Sequence, residues 1–291
     1  MEAIPEGDMD QFRKRVVGRS VGEDTFTAYK LWIERFEDWF TGDTPSLRDL
    51  EDFDTMLEDP AQAVYPWEND TGRPAPMSYS YSSRNQAISA VKMWVRRQYD
   101  VEIPEQPGDI VRGEEEPFSP TYLSRERVRD IVTSAGSSCN CDGCAAALAV
   151  SYDAVLRASE LVRLTMSDLD RESGELSVTA SKGSRDSVIV LSDDTMERVE
   201  DYLSTVESGS GKLFSNTYGD SWTKGAWSKH VIDYHVPEGS HAFGRHTPIL
   251  HQLEAGVDFG SVYRRARHKS PATTARYARH VDVDVPSWAG D

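Results

Sequence analysis

The sequence predicts an α+β fold that is mainly α-helical and carries one small β-sheet. Most patterned segments repeat apolar residues at the 3.6-residue period of a helix. One segment, 175–191, instead has apolar residues alternating on both sides of a turn at Gly183, which predicts a β-hairpin with Lys182 at its tip. Another segment, 104–120, contains four prolines and an acidic run without periodicity, and it predicts a linker between two domains.

The region before the linker, residues 1–103, is predicted to be a helical domain. Residues 1–20 are charged and weakly patterned. The prolines between 60 and 80 predict a loop. Helices are expected over residues 24–42, 46–58 and 82–99.

The last of these helices carries a group of basic residues: Arg84, Lys92 and Arg96. A basic helix face is commonly no more than a solvated surface. The alternative is that it follows the phosphates of a nucleic acid. The helix alone does not separate the two interpretations.

The region after the linker, residues 121–291, carries the hairpin among further helices. Ser124 is placed to cap the first of them. An alanine-rich helix follows, and the motif RASELVRL continues as a short helix that begins at Arg157. The predicted helices are 124–134, 145–156, 157–164, 194–204 and 221–234.

The chain is acidic, and its basic residues are unusually poor in lysine. It contains 49 Asp and Glu against 32 Lys and Arg, a formal net charge of −17, and only eight of the 32 are Lys. A carboxylate-rich surface with little Lys is typical of proteins that stay hydrated in concentrated salt. We therefore predict a halophilic source, with an ordinary acidic mesophilic protein as the alternative.

The sequence also predicts where the protein resides. No apolar run approaches the roughly 20 residues needed to span a bilayer. The N-terminus is acidic and lacks the apolar core of a signal peptide. We expect a cytoplasmic protein that does not bind membranes.

The window His241–His280 differs in charge from the rest of the chain. It holds seven Lys and Arg against two Asp and Glu, and five of the seven histidines. Bases and histidines that lead up to a tyrosine predict a site that binds a phosphate.

Four motifs in order, VLRASELVRL, SKGSRDSVIVL, HAFGRH and RHKSPATTARY, resemble those of the tyrosine recombinases, the family of phage-type integrases and XerC/XerD-like recombinases. Together with the composition, the resemblance suggests a chain from a halophilic archaeon or its virus. It implies a core-binding, SAM-like DNA-binding domain over 1–103, a linker over 104–120, and a catalytic domain with a C-terminal tail over 121–291.

The resemblance also implies which residues act on DNA. Glu160 would support the first catalytic arginine, and the basic residues of the third helix and of the final box would contact DNA. The implied catalytic residues are Arg157, Lys182, His241, Arg245, His268 and Tyr277. The implied DNA-binding residues are Arg84, Lys92, Arg96, Arg264, Arg265 and Arg267.

The first histidine of this set departs from the family's pattern. The family shows His-x-x-Arg, whereas this chain has one more residue between His241 and Arg245, which places Ala242 in the standard register. Residues four apart still share a face of a regular helix, so His241 is expected to point into the site. His246 would point about 100° away from Arg245 on a regular helix and is the poorer candidate.

Such a set of residues suits the cleavage of a phosphodiester bond without water, metal or cofactor. Tyrosine can hold the phosphate covalently, and two arginines can bind its oxygens in a bidentate manner. A lysine on the hairpin could protonate the leaving oxygen. We therefore predict a site-specific recombinase or integrase that cuts and rejoins DNA through a 3′-phosphotyrosine intermediate.

The expected partners are double-stranded DNA with specific recombination sites and other copies of the chain. A homotetramer is expected in the synaptic complex, and a monomer or dimer when the protein is free. Two alternatives stay open: a DNA-binding accessory protein of the same fold that has lost cleavage, and an enzyme that resembles type IB topoisomerases.

A cysteine cluster lies outside these motifs. Cys139, Cys141 and Cys144 are the only cysteines of the chain, and their odd number does not describe a disulfide framework. Their C-x-C-x-x-C spacing allows a zinc clasp with a fourth ligand from elsewhere, such as a histidine. A surface loop with reduced thiols is the alternative.

Overall fold

The chain forms two compact units, Met1–Pro117 and Phe118–Asp291, in a computed structural model. The described residues are 6–58, 79–99, 101–103, 110–111, 113, 117–138, 143–179, 186–205, 211–216 and 218–281. Most of the loop predicted between 60 and 80 lies outside these residues, as does the tip of the hairpin with Lys182. The predicted α+β class, mainly helical with one small sheet, is confirmed.

The first unit is a helical bundle around an aromatic core. Phe36 stands edge-on to Phe53, with ring centroids 5.2 Å apart, and both rings are fully buried. Ile110 and Val111, from the predicted linker, also pack into this core. Its helices are α1 (Glu6–Val16), α2 (Glu23–Trp39), α3 (Leu47–Glu58) and α4 (Tyr81–Gln98).

Helix α1 lies within residues 1–20, where the sequence is charged and only weakly patterned. Met9, Phe12 and Val16 follow the i, i+3, i+7 spacing of an apolar stripe, and all three are buried. The many charges of the segment obscured this short pattern. Phe12 stands edge-on to Trp94 of α4, which fixes the helix to the core.

Helix α4 does not present the exposed basic face that was one interpretation of its sequence. Arg84 is 3% exposed and Lys92 is 4% exposed. Arg84 donates from Nη1 to the buried carboxylate of Asp54 at 2.8 Å and from Nη2 to Glu58 at 3.2 Å. The predicted DNA contacts of these two residues do not fit this burial, because the side of α4 that carries Arg84 faces Asp54 and Glu58 of α3.

The second unit contains a small antiparallel sheet, and helices both precede and follow the sheet along the chain. The strands pair in the order β1-β2-β3, and β1 extends the predicted hairpin by one short strand. The strands are β1 (Leu169–Asp170), β2 (Glu175–Val178) and β3 (Ser187–Val190). The helices are α5 (Arg125–Ser138), α6 (Cys144–Asp153), α7 (Ala158–Leu161), α8 (Asp193–Thr205), α9 (Lys224–Tyr234), a π-helix (Ala242–His246), α10 (Thr247–Glu254), α11 (Phe259–Arg265) and α12 (Pro271–Ala278).

Helix α6 lies at the centre of this unit. Its sequence CAAALAVSYD is apolar on nearly every side of the helix. This allows α5, α8 and the π-helix all to pack against it. The helix ends at Asp153, earlier than the predicted Leu156, and α7 covers only Ala158–Leu161 of the predicted 157–164. The four residues between the two helices form a loop whose backbone carbonyls serve the candidate active site. None of the helices in the described part of the chain is long and apolar enough to cross a membrane.

Candidate active site

The loop between α6 and α7 places two backbone carbonyls where buried arginines can bind them. Val155 has φ 53°, in the left-handed region that a β-branched residue rarely adopts. Its carbonyl oxygen accepts a hydrogen bond from Arg245 Nη1 at 2.9 Å and another from Arg267 Nη2 at 2.7 Å. Two charged donors on one oxygen stabilise this strained conformation.

Arg157 and Glu160 form a reciprocal pair at the start of α7. The Glu160 carboxylate accepts from the Arg157 backbone N–H and from its guanidinium, each at 2.9 Å. Burial alone would raise the pKa of Glu160, but Arg267, the Arg157 backbone and the Arg157 charge outweigh it and lower the pKa. Glu160 is thus an ionised carboxylate that orients Arg157, whose side chain is 29% exposed and can reach a ligand.

Arg267 is a structural residue and not the DNA-positioning residue that the sequence predicted. It is 2% exposed, donates to Glu160 at 2.9 Å, and donates to the carbonyls of Ala154, Val155 and Arg265. Its guanidinium is therefore directed into the protein, and it cannot reach a DNA backbone at the surface. Its role is to fix the α6–α7 loop and the carboxylate that orients Arg157.

Arg245 lies in a π-helix, which absorbs the extra residue of HAFGRH. The backbone N–H of Thr247 donates to the carbonyl of Ala242, an i to i+5 bond that defines this wider turn. Gly244 makes the close packing possible: a Cβ at this position would overlap the Ser151 hydroxyl and lie 2.9 Å from the Leu156 carbonyl oxygen.

The guanidinium of Arg245 is buried and only partly satisfied. The residue is 1% exposed, and its Nη2 has no hydrogen-bond partner among the described residues. Burial, and then the charges of Arg157 and Arg267, lower its pKa to about 9. An anion placed here would satisfy the nitrogen and offset the repulsion among the three arginines.

Tyr277 meets a different histidine from the one that a regular helix predicts. Its hydroxyl is 2.8 Å from Nδ1 of His246, while His241 lies edge-on to His246 with ring centroids 4.5 Å apart. In a π-helix, residues five apart come to nearly the same side, which places the two histidines next to each other. The expectation that His246 points away is wrong, because it assumed a regular α-helix.

The environment of Tyr277 holds its hydroxyl in the protonated form. Burial raises its pKa, while the charges of Arg245 and Arg157 act in the opposite direction. Burial, and then His241 and Arg245, lower the pKa of His246 to about 4. The two groups therefore meet as a neutral phenol and a neutral imidazole, between which a hydrogen bond forms without charge.

His268 supports Tyr277 from the other side. Its ring stacks on the Tyr277 ring at 18° with centroids 5.9 Å apart, and its Nδ1 is 2.7 Å from the Thr274 hydroxyl. Burial, and then the charges of Arg245 and Arg157, lower its pKa to about 3. When the Thr274 hydroxyl donates to Nδ1, the proton of the neutral ring lies on Nε2, which is free to donate to a ligand.

Phe118 is a residue of the site that sequence analysis did not find. Its ring stands edge-on to Tyr277 at 4.9 Å and to His246 at 5.8 Å, and the Arg276 guanidinium lies 4.7 Å above it. The residue belongs to the predicted linker, where nothing but its isolated aromatic character among prolines and acidic residues marks it. It closes one side of the tyrosine with an apolar surface.

The remaining predicted residues divide into three groups. Arg264 is exposed and donates a hydrogen bond to the Ser261 hydroxyl, so a ligand at the surface can reach it. Arg265 instead donates hydrogen bonds to the backbone carbonyl and the carboxylate of Asp153. Arg96 donates to the Ile103 carbonyl. Lys182 of the hairpin tip and two of the three cysteines, Cys139 and Cys141, lie outside the described residues.

In the second unit, two arginines thus act electrostatically on Tyr277, and two neutral histidines lie against it. A family model described as the phage integrase family matches residues 121–283, more than half of the chain. The chain belongs to the phage integrase family. The resemblance to tyrosine recombinases is confirmed.

Curated members of the phage integrase family are similar to this chain over part of their length. A tyrosine recombinase XerC from Pelobacter propionicus is 30% identical over 148 residues, which are 48% of this chain and 48% of that protein. A tyrosine recombinase XerA from Thermococcus onnurineus is 28% identical over 211 residues, 69% of this chain and 72% of the relative. The chain thus spans about half the length of the XerC relative and 72% of the length of the XerA relative.

Solved integrase structures share the fold. A lambda integrase dimer bound to a COC' core site has a TM-score of 0.69 at 15% identity and covers 98% of this chain and 99% of its own. A Tn1549 transposon integrase in complex with a circular intermediate DNA has the same TM-score and identity. The alignment covers 97% of this chain and 96% of the integrase chain. At this identity the likeness concerns the fold.

Proposed function

We propose that the protein is a site-specific DNA recombinase or integrase that cuts one strand by attack of the Tyr277 hydroxyl on phosphorus. The phosphate stays on Tyr277 as a 3′-phosphotyrosine, and the 5′-oxygen leaves as a hydroxyl. Attack by a second 5′-hydroxyl reverses the chemistry and joins new partners. Membership of the phage integrase family supports the proposal.

The observation that carries the proposal is the unsatisfied, buried nitrogen of Arg245. A buried guanidinium nitrogen without a partner among the described residues is costly, and a phosphate oxygen is an acceptor that would satisfy it. Arg157 offers a second, partly exposed guanidinium that Glu160 already orients. The two guanidinium groups can bind two oxygens of one phosphate, and these hydrogen bonds strengthen as negative charge develops on it.

The tyrosine proton has an acceptor in place. In the proposed reaction, Tyr277 donates to His246 Nδ1, the oxygen attacks phosphorus, and the proton passes to the imidazole. His268 Nε2 donates to a phosphate oxygen. By family resemblance, Lys182 supplies the proton to the leaving 5′-oxygen. The same resemblance assigns His241 to the set, and here it adjoins His246.

The proposed partner is double-stranded DNA with specific recombination sites, and the proposed assembly is a homotetramer. The lambda integrase relative is described as a tetramer on a Holliday junction. We propose that the first unit contains the core-binding domain predicted over residues 1–103 and that Arg264 positions the DNA backbone. A cytoplasmic location and a halophilic archaeal or viral source complete the proposal, the latter supported by the net charge of −17.

A nicked substrate that traps the covalent product tests this function. Purified protein is incubated with duplex pools from the DNA that flanks its gene, each carrying a nick near the scissile position so that the released fragment diffuses away. We expect a protein–DNA adduct that resists denaturation, forms without a divalent ion and is absent in Tyr277→Phe. Unchanged DNA binding and unfolding temperature in that variant show that only the nucleophile was removed.

Three outcomes contradict the proposal. A site-specific gel shift without an adduct supports the accessory DNA-binding protein of the same fold. Relaxation of supercoiled plasmid without any preferred sequence supports the alternative that resembles type IB topoisomerases. An adduct that survives in Tyr277→Phe identifies a different nucleophile.

A further inference from the structure

A second group of reactive side chains lies in the same unit but outside the candidate active site. Cys144 is the first residue of α6, His230 lies on α9, and His235 directly follows that helix. One ligand atom from each residue lies within 4.8 Å of the other two. The Cys144 sulfur and the Nε2 of His230 are 3.1 Å apart.

These distances suit three of the four ligand positions of a single tetrahedral ion. Zinc bonds of about 2.3 Å to sulfur and 2.0–2.1 Å to nitrogen place neighbouring ligand atoms about 3.3–3.6 Å apart. The three atoms therefore need to move by no more than about an ångström to share one ion. A thiolate with two imidazoles is also the donor set that favours zinc over magnesium or calcium.

The surroundings favour a structural ion over a reactive thiol. Cys144 is fully buried and His235 is 7% exposed. The rings of Trp222 and Tyr234 each lie 4.9 Å from the His230 ring, so aromatic side chains shield it. A cysteine nucleophile or redox sensor needs access to its partner, which this burial denies.

We propose that Cys144, His230 and His235 bind one structural zinc ion. The ion would link the start of α6 to the end of α9. Helix α6 leads into the loop that carries Arg157, and the segment after α9 leads into the π-helix that carries Arg245. The ion would thus hold together two elements that end at the phosphate site, without taking part in the reaction. The proposal is independent of the proposed function.

Metal content of the untagged full-length protein is the first test. The protein is produced in zinc-supplemented medium, freed of loosely bound metal by gel filtration, and analysed by mass spectrometry of the elements. We expect close to one zinc per chain. Cys144→Ser and His235→Gln should each reduce it to near zero, whereas His251→Gln, a buried histidine outside the cluster, should retain it.

Cobalt substitution keeps the test decisive if a variant fails to fold. Wild-type protein stripped with a chelator should melt at a lower temperature and recover with zinc but not with magnesium. Cobalt(II) added to the stripped protein should give the strong visible bands of a tetrahedral ion and a thiolate charge-transfer band in the near ultraviolet. The charge-transfer band reports the Cys144 sulfur directly.

Three results would overturn the proposal. Zinc near zero in the wild type and no cobalt spectrum would show that Cys144 and His230 form only a thiol–imidazole hydrogen bond. A cobalt spectrum without the thiolate band would exclude Cys144. Zinc that persists in folded His235→Gln and disappears only when Cys139 and Cys141 are replaced would place the ion elsewhere.

Discussion

At the scale of single residues, Arg245 performs two tasks with one guanidinium. Its Nη1 is bound to the Val155 carbonyl, and its Nη2 is available to a ligand. Lysine ends in one ammonium nitrogen and cannot place donors at both of the positions that Nη1 and Nη2 occupy. We expect Arg245→Lys to lower the single-turnover rate of adduct formation by about 10²–10³-fold, as for the loss of one donor to a developing negative charge.

The control for that prediction is a substitution of the same kind at the surface. Arg129→Lys on the exposed side of α5 should leave the rate within about twofold of the wild type, because surface changes away from such features are nearly neutral. An Arg245→Lys protein with wild-type rate would show that Nη2 does not bind the phosphate.

His246 should couple the stability of the protein to pH. Its pKa is about 4 in the folded protein, below the ordinary value of 6.5, so the unfolded chain binds a proton more readily. The stability that it contributes is complete above pH 6.5 and is lost as pH falls toward 4. We expect the fall in melting temperature between pH 7 and pH 5 to be smaller in His246→Gln than in the wild type.

Comparing the wild type with His246→Gln cancels the pH dependence of stability that comes from the overall charge of the protein. The substitution leaves the net charge unchanged at pH 7. Glutamine does not titrate and can still accept from Tyr277, so the hydrogen bond is preserved. If the melting temperatures of the two proteins fall equally between pH 7 and pH 5, His246 has an ordinary pKa in the folded state.

Individual site residues differ in how far the sequence determined them. Arg157, Arg245, His268 and Tyr277 could be found because each lies in a short local motif. The interior role of Arg267 could not, because its partner Glu160 is 107 residues away and the sequence carries no sign of that contact. Phe118 was missed for the same reason: its contacts with Tyr277 exist only in the folded unit.

At the scale of elements, the π-helix is the feature that sequence periodicity could not predict. One extra residue between His241 and Arg245 could be accommodated by a rotated α-helix or by a wider turn. Packing decides between them, because Gly244 lies against Ser151 and the Leu156 carbonyl and fixes the backbone there. A single sequence does not contain that tertiary information.

Gly244→Ala should therefore destabilise the second unit. The added methyl would overlap the Ser151 hydroxyl and press on the carbonyl before Arg157, and overpacking of this kind costs about 1–3 kcal/mol. We expect a lower midpoint of denaturant unfolding and slower adduct formation. Ser151→Ala in the same protein should restore part of the stability, since it removes the nearest atom.

Gly225→Ala is the matched control, because a Cβ at Gly225 of α9 meets nothing within 4 Å. Alanine is the better helix former, so this variant should be neutral or more stable by about 0.5–1 kcal/mol. If Gly244→Ala behaves like Gly225→Ala, the close approach of the π-helix to α6 is not a constraint.

At the scale of the whole molecule, the charge balance opposes the function that the site supports. A net charge of −17 repels DNA and also weakens the folded state through self-repulsion. Within the site the pattern is reversed, because the positive charges of Arg157 and Arg245 both act on Tyr277. Bidentate contacts at one phosphate depend less on salt than diffuse surface charge does, which suits binding in concentrated salt.

This balance predicts that salt stabilises the protein. At 1 M salt the Debye length falls to about 3 Å, so repulsion among the surface carboxylates is largely screened. We expect the melting temperature to rise by about 4–8 °C between 0.15 and 2 M KCl, the equivalent of roughly 2 kcal/mol for a protein of this size. Adduct formation at the trapped site should persist at 2 M KCl.

Sucrose at matched osmolality serves as the control, because it favours compact states without screening charge. A melting temperature that rises equally in sucrose, or not at all in KCl, would contradict the halophilic interpretation of the acidic surface.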